Sequence, residues 1–180
     1  EFYGAFGVGS NESMSKSRTL TRLHFRLMDL RLYQFIRNIG HSAFNKIGSG
    51  KSEQVPGTLM KRIVANKNIL LDSDEYKLAM KRYEQNMGDL TRKFSSRGVP
   101  LFLSEVVSNV RDIKPLSYLS SGEPDEAWDR YEEAVRAYEG GNYETAKVLF
   151  YKAKDLDGVR FRASEDINKI ICDLAERYEI

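Results

Sequence analysis

The residues able to do covalent or metal chemistry are few in this 180-residue chain, and their spacing keeps them apart. The histidines, His24 and His41, are separated by more than a helix, and neither has a Cys, Asp or Glu at metal-ligand spacing. No metal site is expected, and both histidines read as structural or surface groups. The single cysteine, Cys172, falls inside a helical apolar pattern, which rules out a disulfide framework or a cysteine metal site within the chain. No Gly-x-Ser-x-Gly elbow presents a serine, and the positions three before the histidines hold Thr21 and Asn38 where a triad would want Asp. No catalytic residue is therefore assigned. Gly50-Lys51-Ser52 looks like the tail of a phosphate loop, but Lys46 stands where the first glycine is required, and Gly4, Gly7 and Gly9 follow no strand. No cofactor is expected from either segment.

What remains is a set of polar groups beside the ends of apolar elements: Glu1, Tyr3, Ser108, Asn109, Arg111, Arg160 and Arg162. Ligands of open α/β sheets sit beyond the carboxyl ends of the strands, which places Ser108-Asn109-Val110-Arg111-Asp112 where binding would occur. The competing reading is that Asn109 and Asp112 only shape a turn. Glu1, Tyr3, Ser108, Asn109, Arg111 and Arg162 are taken forward as candidate substrate-binding residues.

The elements that must position them are mainly helical. From Lys16 to Ile39, Leu20, Leu23, Leu27 and Leu30 recur on one side and Phe25, Met28, Leu32, Phe35 and Ile36 on another, predicting one helix with contacts on two sides. Its arginines, Arg22 and Arg26 among them, also permit a basic amphipathic helix on a membrane surface, a reading ranked below packing against neighbours. Residues 40–58, rich in Gly and Ser, predict a loop. Asp72-x-x-Glu75 predicts a capping box, followed by a helix with Tyr76, Ala79, Met80, Tyr83, Met87, Leu90 and Phe94 inward and Gly98 at its end. Val99 to Val107 is a largely apolar run that predicts a parallel strand buried on both faces. Arg62–Ala65 and Ile69–Leu71 are too short to supply its neighbours with certainty, so the rest of the sheet is expected outside the chain.

Between Ala127 and Gly158 the spacing Gly141-Asn142-Tyr143, Ala146, Phe150, Ala153 fits the second helix of a tetratricopeptide-type hairpin, with Ala127, Tyr131, Ala134, Ala137 and Tyr138 on the first. One such unit is visible where about three are needed for independent stability. A brace on a larger scaffold is therefore favoured over a peptide-binding array. Ser164 predicts the N-cap of a last helix whose inward face carries Ile167, Ile170, Ile171, Leu174, Ala175 and Tyr178.

Charge excludes one class of partner. Lys and Arg total 28 against 26 Asp and Glu, so the chain carries no nucleic-acid footprint. No stretch approaches the ~18 to 20 apolar residues of a membrane helix, so the chain reads as soluble. It opens on Glu1 without Met or a leader pattern, so a natural start upstream is expected.

Three segments carry a resemblance to a known family. Glu1-Phe2-Tyr3-Gly4-Ala5 resembles the stretch directly after the third block of the bacterial SGNH (GDSL-like) hydrolases, in the type that carries a tetratricopeptide-like insertion. Arg97-Gly98-Val99-Pro100-Leu101-Phe102-Leu103 with Ser108-Asn109-Val110-Arg111-Asp112 is similar to that family's internal strand and exit loop. Lys154-Asp155-Leu156-Asp157-Gly158-Val159-Arg160-Phe161-Arg162-Ala163, with Asn168, looks like the segment leading to its last block. The resemblance implies a flavodoxin-like α/β parent, of which this chain is a mostly α section. It implies residues 1–120 as a partial α/β region, 121–160 as the helical hairpin and 161–180 as a helix returning to the core. The nucleophilic serine, the oxyanion-hole Gly and Asn and the Asp-x-x-His pair match no position here; the first three would precede Glu1 and the pair would follow Ile180. The implied parent is a serine ester hydrolase of the bacterial cell envelope or periplasm, acting on an ester-bearing small molecule or envelope glycan. This chain would supply scaffold and a pocket lid. The alternative is a helical interaction module binding a protein partner through the hairpin.

Overall fold

The computed structural model describes residues 18–47 and 68–180. Among the described residues the chain is mostly helical and contains no strand. The helices are α1 (Arg18–Met28), α2 (Arg31–Ile47), α3 (Asp74–Ser95), α4 (Leu116–Ser121), α5 (Glu126–Glu139), α6 (Tyr143–Leu156) and α7 (Glu165–Tyr178).

Two packed pairs form the body. In the first, α5 and α6 lie side by side as a hairpin whose core is Tyr131, Ala134, Ala146, Phe150 and Ala153. The alanines remove bulk between the helix axes, so the two rings can fill the space edge to face, 5.5 Å between centroids. Asp125 and Asn142 cap the two helices by accepting from Trp128 N and Thr145 N. Gly141, at φ +78°, makes the turn that a side chain would strain. Trp128 extends the aromatic row outward and stacks on Tyr118 of α4 at 4.0 Å.

In the second pair α3 packs on α7. Leu174 is fully buried against Gly88, where an added Cβ would lie 3.6 Å from its Cδ2, and Ile171, Tyr76 and Ala79 complete the contact region. Burying a leucine of this kind contributes about 2 kcal/mol. Tyr76 also crosses the pair through its hydroxyl, which lies 2.8 Å from Ser164 Oγ and donates to Asp166 Oδ2 at 2.7 Å.

Five expectations change. The helix over 16–39 breaks at Asp29–Leu30, where the Gln34 side-chain amide takes the Met28 carbonyl at 2.6 Å and so ends α1 from inside the next helix. The 40–58 loop begins later, because α2 runs to Ile47. The cap of α3 is Ser73, accepting from Tyr76 N; Asp72 instead takes φ +63°. Ser164 does start α7, but without a capping bond from its own hydroxyl, and Asp155 accepts from Glu165 N instead.

The fifth change is the largest. The expected buried strand over 99–107 is irregular chain without a ladder, and Phe102 and Val107 are 92% and 93% exposed. No neighbouring strand exists among the described residues, so its apolar pattern has no sheet to face. Instead Asn168 of α7 mimics a strand partner, with its carbonyl accepting from Val106 N at 2.8 Å and its amide donating to Val106 O at 3.3 Å. Ile69, from the other short candidate, is buried and donates its N–H to Gly158 O at 2.8 Å. Arg62–Ala65 lies outside the described residues.

Burial pushes the Tyr76 phenol well above its usual range, aided by Asp166. A raised pKa means the native state keeps a proton that the unfolded chain sheds above about pH 10, so stability falls as pH rises past that point. Tyr76→Phe should cost about 1 kcal/mol at neutral pH through its lost hydrogen bonds. Its urea midpoint should then decline less steeply than the wild type between neutral and strongly alkaline pH. Part of the slope persists, because burial raises Tyr131 as well. Parallel declines in the two proteins would contradict this role.

Candidate functional site

The candidate residues converge on the loop 108–113, and the chain around it shows why. The segment Lys154 to Arg162 leaves α6 carrying five charged side chains within one short run, and most of them turn inward. Asp157 is buried and accepts from Leu116 N at 2.9 Å, Ser117 N at 3.0 Å and Val159 N at 3.2 Å, capping α4 from 40 residues away. Arg162 closes on it with Nη2 to Asp157 Oδ2 at 3.2 Å; the two side chains are 6% and 2% exposed. From the same guanidinium Nη1 donates to Ile113 O at 2.8 Å and, more weakly, to Asn109 O at 3.3 Å. Arg162 thus clamps both ends of the candidate loop by its backbone.

The loop's own side chains complete a turn. Asn109 Oδ1 accepts from Asp112 N at 2.9 Å, an Asx-type turn, and Arg111 Nε pairs with Asp112 at 2.9 Å. Arg111 then leans on α5, donating to Tyr138 Oη at 2.9 Å over its ring, while Tyr131 Oη donates to Arg111 O at 2.7 Å. The Arg111 guanidinium and the Asn109 amide hold the Asp112 carboxyl below its usual range. That interaction is present above the unfolded carboxylate pKa, about 3.9, and is lost as pH falls through the lower folded value.

The structure therefore brings Asn109, Arg111 and Arg162 together. Ser108 is half-buried beside them and joins none of these bonds. Glu1 and Tyr3 lie outside the described residues. Arg162 is buried with its polar atoms on the fold, so its place is as a positioning residue for the loop; Arg111 and Asn109 are exposed. Sequence reading passed over Asp157, Tyr131 and Tyr138 as site neighbours. The signal was available in Asp157-x-x-Arg160-x-Arg162, three charges set inside a stretch with Val159 fully buried.

Arg160 performs the same service on the other side. Nε donates to Ile69 O at 2.8 Å, Nη1 donates to Asp155 O at 2.6 Å, and the guanidinium lies 4.8 Å over the Tyr76 ring. Lys154 is buried between Glu165 at 2.5 Å and Asp155 at 3.4 Å. Burial raises the Asp155 carboxyl, with Lys154 opposing.

None of this assembles a nucleophile with a base. His24 Nδ1 lies 2.6 Å from Tyr33 Oη. The Cys172 thiol donates to Glu105 at 3.1 Å, which pushes it above its usual range and away from the thiolate. No group of three metal-ligating side chains occurs among the described residues. No protein-family model matches the chain, and no curated protein or solved structure matches it.

Arg162→Met leaves Asp157 buried without its cation and should lower stability by about 3–5 kcal/mol, read as a shift of the urea midpoint. Amide exchange at 109–113 should accelerate with it. Arg111→Ala should leave the midpoint in place. Equal effects of the two substitutions would show that the loop is not clamped from Arg162.

Proposed function

We propose that this chain is a noncatalytic section of an SGNH-type serine ester hydrolase, supplying scaffold and a pocket lid. One observation carries the reading. The two internal segments that resemble that family, 97–112 and 154–168, are far apart in sequence but meet through Arg162 on Asn109 and Ile113 and through Asn168 on Val106. Asn168 occupies one edge of the 99–107 run and leaves apolar side chains such as Phe102 and Val107 outward, as a strand awaiting a sheet would. The helical hairpin sits behind the loop, where Tyr131 and Tyr138 brace Arg111. In this reading it is a tetratricopeptide-like brace and the exposed Asn109–Asp112 turn faces an ester substrate of small-molecule or envelope-glycan type. The envelope or periplasm is the matching compartment.

A second reading, a helical module that binds a protein segment, is favoured by the exposed Tyr143 and Val148 on α6. A pull-down with the hairpin residues changed at Tyr143 distinguishes it, since the scaffold reading needs no partner there.

The 180-residue chain should not turn over nitrophenyl acetate above buffer, and a fluorophosphonate should label no serine in it. A longer polypeptide that adds the nucleophilic-serine block and Gly-x-Asn before Glu1, and Asp-x-x-His after Ile180, should gain both properties. Asn168→Ala in that longer chain should then lower kcat. Serine-dependent turnover by the 180 residues alone would overturn the proposal, as would a longer chain carrying neither motif.

A further inference from the structure

Among the described residues, helices α1 and α2 leave an apolar face uncovered. Leu32, Phe35, Ile36 and Ile39 recur along α2 as a single stripe, and Leu20 and Leu23 share one side of α1; each is at least half exposed. Surface helices ordinarily draw most of their stability from burying such a stripe. Here α1 reaches α3 by the Arg22–Asp89 ion pair. Between 18 and 47 the sequence has Asp29 as its one acid against Arg18, Arg22, Arg26, Arg31, Arg37 and Lys46.

The charge gathers at a groove of about 470 Å³ between α1 and α3. Among the described residues, Arg22, Arg26, Arg92 and Lys93 line it with Asp89 as the sole acid, and Phe25 forms an apolar wall. Arg22 and Arg92 share Asp89. Four cations against one carboxylate leave the groove positive, and Phe25 makes it continuous with the apolar side of α1.

We propose that α1 and α2 form an interfacial anchor that lies in the surface of an anionic bilayer, the stripe among the acyl chains and the groove around lipid phosphates. A wide apolar stripe beside arginines, with almost no acid, is the pattern that such a surface stabilises. Spanning is not the mode, since no helix among the described residues is long and apolar enough to cross. Pairing with a second copy through the same face would bring arginine rows together and leave the groove uncompensated. The inference stands independently of the hydrolase reading.

The test is flotation of the 180-residue chain with phosphatidylcholine vesicles, with and without phosphatidylserine, alongside Leu32→Gln/Ile36→Gln and Arg26→Gln/Lys93→Gln. Circular dichroism confirms that each variant keeps its helices. The wild type should float with the anionic vesicles only. Removing the two cations should weaken partitioning roughly 30-fold, since each contributes about 1 kcal/mol at such a surface. The apolar variant should lose flotation at least as fully. The inference is overturned by wild-type protein that stays down with anionic vesicles, by equal flotation on neutral ones, or by an apolar variant that still floats. A dimer in sedimentation that Leu32→Gln/Ile36→Gln dissolves, without vesicle binding, assigns the face to a second copy. Saturable binding of inorganic phosphate without vesicle binding assigns the groove to a soluble anion.

Discussion

The buried Asp157–Arg162 pair is the constraint on which the described structure depends. Two charges withdrawn from water are costly unless every lone pair and proton finds a partner. Asp157 meets that condition with three backbone N–H groups and a guanidinium, and Arg162 meets most of it with two carbonyls and the carboxylate, its Nε alone staying buried without a partner among the described residues. Those partners come from α4, from the loop 109–113 and from the α6 exit. Fixing one pair therefore fixes how three separate stretches meet. Arg160 repeats the device toward Ile69 and Asp155, and Ile69 returns a backbone bond to Gly158. The glycine keeps that approach close, because an added Cβ would sit 3.0 Å from Asn68 Cβ and make it shift. The α6–α7 connection is thus a hub of polar bonds between two small apolar cores, each too modest to orient the other.

This use of polar groups explains why the candidate site looks as it does. Arginine beside Asn and Asp near a loop suggests ligand binding, yet here one arginine and one aspartate are consumed in positioning. Only Asn109, Arg111 and Asp112 are left facing outward. A rigidly held, exposed turn is a reasonable platform for recognition, because its geometry costs little further ordering on binding. Elsewhere among the described residues, His24 lies against Tyr33 and the Cys172 thiol donates to Glu105.

Legibility in the sequence followed burial. Ala146, Phe150 and Ala153 were identified by spacing and are buried, because a helix-on-helix contact leaves a direct period in the residues it excludes from water. Ile171 and Leu174 were visible for the same reason. The α1–α2 break was not, because Gln34 makes it by a side-chain bond to Met28 O and no Gly or Pro marks the place. On α3, Leu90 was expected inward and is exposed while Thr91 is buried, since the short Gly88–Leu174 approach rotates the contact. The strand expected over 99–107 shows the limit of pattern. Apolar character predicts that a segment wants cover, whereas a ladder also needs a neighbour's backbone, which no local sequence encodes. Of the candidate site, Asn109 with Asp112 was readable as a turn; the Asp157–Arg162 clamp was hidden because long-range ion pairs have no period.

Two apolar surfaces remain open, and their surroundings ask for different cover. Along 99–107 the uncovered groups include backbone donors and acceptors, and Glu105 is the only charge, so another strand satisfies it best. Along α1 and α2 the backbone is already satisfied within the helices, and the neighbouring charges are arginines. A surface with no directional hydrogen bonding but dense negative charge suits that face, whereas a strand would leave its arginines unanswered. The two faces thus call for two partners of different physics, and the polar hub around Asp157 is what holds the first of them in place.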